Sequence, residues 1–132
     1  MNFEELFRKA ETSIKPHKVG DRLFGNVAAT ILTESGNFYS GVCIDTGSGT
    51  GFCAEAAAVG AMVTAGEYKI KKVVAVWKDL DGVAYVVPSC GRCREFMRQI
   101  DESNLEAEVI LGKVASMKLK ELLPQHEWPS SL

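Results

Sequence analysis

The sequence predicts an α/β fold, a sheet carrying helices on both faces, and three observations support that expectation. Runs rich in Val, Ile, Thr and Tyr alternate along the chain with segments of helical periodicity. Turn residues separate them, as at Ser35-Gly36-Asn37, Gly66 and Asp81-Gly82. No linker, repeat or low-complexity stretch divides the 132 residues, so a single domain over 1–132 is expected. A chain of this length buries roughly two thirds of its unfolded surface and needs no disulfide to be stable.

The first element reads as a helix. Asn2 is placed to cap it with Glu5 three residues on, and Phe3, Leu6, Phe7, Ala10 and Ile14 recur at helical spacing before Pro16. Val27 to Thr33 and Phe38 to Ile44 read as the two strands of a hairpin. Residues 45–51, Asp-Thr-Gly-Ser-Gly-Thr-Gly, form a glycine-rich loop that lacks the lysine of a phosphate loop and does not match GxGxxG. Cys53 to Ala65 reads as a helix ending at Gly66. Its run of Ala, Val and Met leaves almost no polar face, so its own domain or a neighbouring subunit should cover it all round. Val73 to Trp77 is a strand, Val83 to Val87 an apolar approach to Pro88, and Gly91 to Ile100 a second helix that opens at a CxxC. Val109 to Leu111 is a further strand, with a short one near Val114 to Met117. A last short helix ends at Glu121-Leu122-Leu123-Pro124.

Charge and composition exclude several functions. The net charge is −2, and the one basic cluster, Lys69, Lys71 and Lys72, reads as the solvated start of a strand. Without a basic stripe a nucleic-acid polymer is not the expected partner, and a small molecule is. The longest apolar run, Ala54 to Ala65, is too short to span a bilayer, so no membrane association is expected. The N-terminus, Met-Asn-Phe-Glu-Glu, has no basic region followed by an apolar run. The four cysteines are therefore expected to be reduced, in the cytoplasm, where CxxC signals metal or redox chemistry.

The chemistry sits in two distant segments, Cys53-Ala54-Glu55 and Pro88-Ser89-Cys90-Gly91-Arg92-Cys93. Cys53, Cys90 and Cys93 make a set of three thiolates, and a three-ligand zinc site is the catalytic kind, because a structural site closes with four. The x₂ spacing of Cys90 and Cys93 lets both sulfurs reach one ion at about 2.3 Å. Both segments fall where a loop becomes a helix, and a helix N-terminus favours thiolate over thiol. Glu55, roughly 200° around the helix from Cys53, is placed to move protons and not to ligate. Three thiolates on one Zn²⁺ leave a net negative centre, and Arg92 or Arg94 is placed to offset it. Other readings remain open at this point: a redox CxxC pair, or a closed structural site with Cys43, His17 or His126 as fourth ligand.

Cys-Ala-Glu with Pro-x-Cys-Gly-x-Cys-Arg resembles the zinc-dependent cytidine deaminase superfamily, over most of the chain from the Phe24–Gly41 hairpin to Pro124. Within it the chain looks like the small homotetrameric cytidine deaminases, and closer to their blasticidin S deaminase branch. Ala56 follows Glu55 where many cytidine deaminases carry arginine, Arg92 lies inside the CxxC, and Leu-Leu-Pro is followed by Trp128. The resemblance implies a three-layer α-β-α fold around a central mixed sheet of about five strands. It also implies one zinc ion per subunit, held by Cys53, Cys90 and Cys93, and a homotetramer. The implied activity is hydrolytic deamination of a cytosine nucleoside to the uracil form, in pyrimidine salvage, or of blasticidin S in detoxification.

Carried over residue by residue, Glu55 is the general acid/base, the Ala54 N–H donates to the pyrimidine carbonyl, and the Ser89 carbonyl lies near the departing amine. Asn26, Cys43 and Asp45 fall at the sugar side of the pocket, and Trp128 falls where phenylalanine often reaches a neighbouring subunit's substrate. Gly41-Val42-Cys43-Ile44-Asp45 departs from the family's Gly-x-Asn-x-Glu: Cys43 has lost an amide, and Asp45 keeps a carboxylate with a shorter reach. The usual stacking phenylalanine falls on Gly25, next to Phe24.

Overall fold

Helix α1 (Phe3–Ser13), a hairpin β3 (Val27–Thr33) and β4 (Phe38–Val42), and helix α2 (Ala54–Thr64) occupy the first half of the computed structural model, which describes residues 2–127. Between α1 and β3 lies a two-stranded ribbon, β1 (His17–Val19) and β2 (Arg22–Phe24). The second half adds β5 (Ile70–Lys78), β6 (Ala84–Val86), α3 (Gly91–Ile100), β7 (Glu108–Ile110) and β8 (Ser116–Lys118). The central sheet runs β4-β3-β5-β7-β8, and β6 pairs β5 as well. It therefore has six strands, where about five were expected. The length of β5 is the reason: Lys72 and Val73 pair in parallel with β7, while Val76 to Lys78 pair antiparallel with β6. Two short strands thus share one edge of a nine-residue strand.

Strand alternation sorts the sheet's side chains into two clusters. Leu32, Val74, Val76 and Ile110 meet Leu6 and Ala10 of α1 on one face. Ala29, Ile31, Val73, Ala75 and Val109 meet Ala58, Val59 and Met62 of α2 and Met97 of α3 on the other. The layers are helix, sheet, helix. Burying a side chain such as Leu6, 1% exposed, contributes about 1.5–3 kcal/mol. The α1 start is fixed as its sequence implies: the Glu5 N–H donates to Asn2 Oδ1 at 3.0 Å, and the Asn2 N–H to Glu5 Oε2 at 3.3 Å.

Helix α2 lies close on β4 because residue 41 is glycine. A Cβ there would sit 2.5 Å from the Ala57 Cβ, which forces the helix off the sheet. The helix is not covered all round by its own chain. Ala54, Ala58, Val59 and Met62 are buried, whereas Gly60, Ala61 and Thr64 are exposed. No helix among the described residues is long and apolar enough to cross a membrane.

Glu67, just past α2, ties the helix end to the β3–β4 hairpin. Its carboxylate accepts from the Tyr39 hydroxyl at 2.6 Å and the Asn37 side-chain amide at 2.8 Å. The Tyr39 bond, then those from Thr33 and Asn37, push its pKa down from 4.5 to about 2. A carboxylate depressed in the fold contributes stability that is complete above the unfolded value and is lost as pH falls through the folded one. The melting temperature of the wild type should therefore fall between pH 4.5 and about 2 in a way that a Glu67→Gln protein does not reproduce. Parallel acid profiles of the two would count against this account.

Candidate metal centre

The start of α2 is positioned by the loop before it. Ile44 and Phe52 exchange backbone hydrogen bonds, each 3.0 Å, so residues 45–51 close on themselves and deliver the chain to Cys53. Gly51 is needed at that closure, since a Cβ would come within 2.8 Å of the Thr46 nitrogen. The loop's role here is to fold back, and Ser48 and Gly49 both take positive φ to do so. Cys53 is the N-cap of α2 and Cys90 the N-cap of α3, both extended, and neither side chain caps its own helix. Both sulfurs are thereby left for another use. Cys93 lies one turn into α3 and is 1% exposed.

The three sulfurs lie within 4.8 Å of one another, with Cys53 and Cys90 at 3.9 Å. All the cysteines are free thiols. Cys43 is not in the cluster, and its thiol donates to Asn26 Oδ1 at 3.1 Å. Among the described residues this trio is the one group of three or more His, Cys, Asp or Glu side chains arranged to hold a metal ion.

Electrostatics show what the trio lacks. Burial, together with the charges of Glu55, Cys53 and Cys90, pushes the Cys93 thiol far up. Burial likewise pushes Cys53 up. Burial opposes ionisation of Cys90 as well, but the Cys93 and Arg92 backbone N–H groups and the neighbouring thiols bring it down on balance. Three converging sulfurs beside a carboxylate repel one another once ionised, and a divalent cation is the group that relieves this. Soft thiolate donors at two helix N-termini fit zinc, and the geometry is that of a ligand set.

Glu55 opens the first turn of α2 beside Cys53 and is 6% exposed. Burial raises its pKa above the usual carboxylate range, against the lowering effect of its own backbone N–H. Ala54, 1% exposed, is the first residue of α2, so its N–H is among those a helix leaves without an internal partner. Ser89 is buried, and its hydroxyl has no hydrogen-bond partner among the described residues.

A cavity of about 410 Å³ opens on Cys53 and is lined by Asn26, Cys43, Asp45, Gly51 and Arg92. Sequence reasoning brought Asn26, Cys43 and Asp45 to one place, and the fold does the same. A second cavity of about 460 Å³ lies against Cys93, with Arg92, Phe52, Ala56 and Phe96 in its walls. The arginines are turned to carbonyl groups: Arg92 Nη1 donates to the Gly51 oxygen at 3.3 Å and Arg94 Nη1 to the Leu122 oxygen at 3.2 Å. Trp128 lies outside the described residues. Phe52 was missed from sequence although it lines both cavities. Its position directly before Cys53, after a run of glycines, was the available signal.

Comparison with known proteins agrees with this architecture. No family model matches the sequence. The blasticidin-S deaminase of Bacillus cereus is 32% identical over 104 residues, which is 75% of this chain and 74% of that protein. Cytidine deaminase from Mycobacterium leprae superposes with a TM-score of 0.76 at 22% identity, over 95% of this chain and 99% of that one. A variant of the Mycobacterium tuberculosis cytidine deaminase gives 0.76 at 25% identity, over 95% and 97%. Sequence identity over three quarters of the chain and likeness of fold over nearly all of it have one reading: the chain belongs to the cytidine deaminase superfamily, in the family of blasticidin-S deaminase, and is an enzyme of the cytidine deaminase type.

Proposed function

We propose that the chain, as a single catalytic domain, is a zinc-dependent hydrolase that converts a cytosine nucleoside, cytidine or deoxycytidine or an analogue, to the uracil form with release of ammonia. The observation that carries this reading is the convergence of Cys53, Cys90 and Cys93 to within 4.8 Å, beside the buried Glu55. Those three cysteines would hold one zinc ion, which supplies Lewis acidity and lowers the pKa of water in the site. Glu55 takes the proton that the attacking water gives up, passes it to ring N3, and then carries a proton to the exocyclic amine as it leaves. The Ala54 N–H fixes the ring by donating to the pyrimidine carbonyl, and the Ser89 carbonyl accepts from the departing amine. Arg92 and Arg94 add positive charge near the α3 start.

A second reading, deamination of blasticidin S as detoxification in place of pyrimidine salvage, is favoured by the relative that bears that name. Zinc-loaded protein given cytidine, deoxycytidine and blasticidin S in parallel separates the two by loss of ultraviolet absorbance and release of ammonia. Turnover of the nucleosides is expected, and exclusive turnover of blasticidin S would move the assignment to the second reading. Inertness toward all three would overturn both.

We also propose a homotetramer acting in the cytoplasm. The exposed Gly60, Ala61 and Thr64 of α2, with Phe52 and Phe96 each 40% exposed near its start, give a neighbouring copy a surface to cover. Sedimentation equilibrium at micromolar concentration should return about four times the chain mass. A single-chain mass there would remove the proposal.

A further inference from the structure

Two of the three clustered sulfurs differ from the third in freedom as well as in exposure. Cys53 and Cys90 are the N-caps of α2 and α3, both in extended backbone and neither side chain bonded to its own helix. Each hangs from a helix tip, where no preceding turn restricts its χ1 angle. Cys93 lies inside α3 and is 1% exposed, so packing holds it in place. Cys90 is exposed and Cys53 half-buried, and a small solute therefore meets Cys90 first.

The two cap sulfurs stand 3.9 Å apart, in van der Waals contact. A disulfide bond is about 2.05 Å long, so closing one asks each sulfur to move by about 1 Å. Rotation of two unrestricted side chains supplies that movement without shifting either helix. Pairing Cys90 with Cys93 would instead join the exposed sulfur to the enclosed one within a single helix start. A metal ligand must be a thiolate, and a sulfur in a disulfide is not one, so the two uses of these sulfurs compete.

We propose that Cys53 and Cys90 are a modification site, a pair that peroxide oxidises to a disulfide joining the starts of α2 and α3, and that this disulfide excludes zinc. The exclusion rests on the deaminase reading; the disulfide does not. In the first step the Cys90 sulfur attacks one oxygen of hydrogen peroxide or an alkyl hydroperoxide. The O–O bond breaks, the sulfur becomes a sulfenic acid, and the other oxygen leaves with the thiol proton as water or alcohol. The Cys53 sulfur then attacks the sulfenic sulfur, the S–O bond breaks, and the hydroxyl leaves as water with the Cys53 proton. Two thiols give up two electrons, the peroxide takes them, and zinc departs with its charge unchanged. A dithiol reverses the bond, which makes the oxidised centre a reversible off-state.

The test treats zinc-loaded full-length protein with hydrogen peroxide, alkylates the remaining thiols and digests with trypsin. Cleavage after Arg22, Lys69, Lys78, Arg92 and Arg94 places Cys53 in peptide 23–69, Cys90 in 79–92 and Cys93 in 93–94. The expected product joins 23–69 to 79–92 and leaves Cys93 alkylated. Cys43 shares the first peptide, so the digest is repeated on Cys43→Ser, where the join should persist. It should persist in Cys93→Ser as well and be absent from Cys53→Ser. A join between 79–92 and 93–94, loss of the expected join in Cys43→Ser, or sulfonic acids with no join would overturn the proposal.

Zinc content is followed on the same samples by dialysis and elemental analysis. One zinc should be lost for each disulfide formed, and dithiothreitol with fresh zinc should restore it. Zinc retained in full beside a mapped disulfide overturns the exclusion. A reduced protein that takes up no zinc sinks the deaminase reading and the exclusion with it, and the peptide map still decides the pair.

Discussion

A Glu55→Gln protein should keep its metal and its fold and lose deamination by ~10²–10⁴-fold, the range that removal of a positioned general acid/base produces. The carboxyl is 6% exposed and sits in the first turn of α2, next to Cys53. Desolvation raises its pKa, which suits a group that must both take and return a proton. Glutamine keeps the shape and one carbonyl oxygen but carries no proton between water, ring N3 and the amine. It also removes a buried charge, so the variant should melt no lower than the wild type. Metal content by elemental analysis, thermal melting and kcat with cytidine on one preparation separate the outcomes. Unchanged metal with kcat lowered by orders of magnitude assigns Glu55 to proton transfer. Turnover close to wild type would place the proton carrier elsewhere.

The fold was legible where sequence pattern and burial coincide. The β3–β4 hairpin, α2, α3 and the Asn2–Glu5 cap all appear within a residue or two of where periodicity and capping residues put them. The ends of β5 were not legible. Val73 to Trp77 was the core expected, with Lys71 and Lys72 at a solvated strand start, and the strand runs Ile70–Lys78 because Lys72 pairs with Glu108 across the sheet while its side chain stays part-exposed. The β1–β2 ribbon was missed because its three-residue strands bury little, with every residue of His17–Val19 exposed. Gly20, at φ +64°, carried the only turn signal there.

The candidate site was legible in its three converging thiols, because cysteines at a fixed spacing and at helix starts are strong local signals. Its walls were not. The contact of Cys43 with Asn26 and the closure of 45–51 by Ile44 and Phe52 depend on cross-strand pairing, which no spacing along the chain encodes. The exposed side of α2 shows a related limit. Hydrophobicity foretold that something covers it, and the chain's own sheet covers half.

Replacing Cys93 by serine should abolish metal binding, with an affinity loss beyond the ~10–100-fold typical of removing an outer partner of a metal ligand. Cys93 is the most enclosed of the trio, at 1% exposure, and its thiol is the one that burial and neighbouring charges hold most firmly protonated. A cation bound among the sulfurs would favour loss of that proton, so metal binding is expected to be coupled to ionisation of Cys93. Serine keeps the volume close and the helix start intact, but its hydroxyl does not ionise under those conditions. Two thiolates, Cys53 and Cys90 at 3.9 Å, then remain as an incomplete set. Because α2 and α3 each offer a cap cysteine, a metal held there would staple their N-termini together, and chelation should lower the melting temperature of the wild type. In Cys93→Ser that response to chelator should vanish, since nothing is left to remove. Cys43→Ser provides the contrast, because residue 43 stands outside the trio. Its metal content should match wild type, whereas a structural site closed by four sulfurs would lose its ion in both variants. Elemental analysis of the three proteins after exhaustive dialysis decides between an open three-sulfur centre and a closed four-sulfur one.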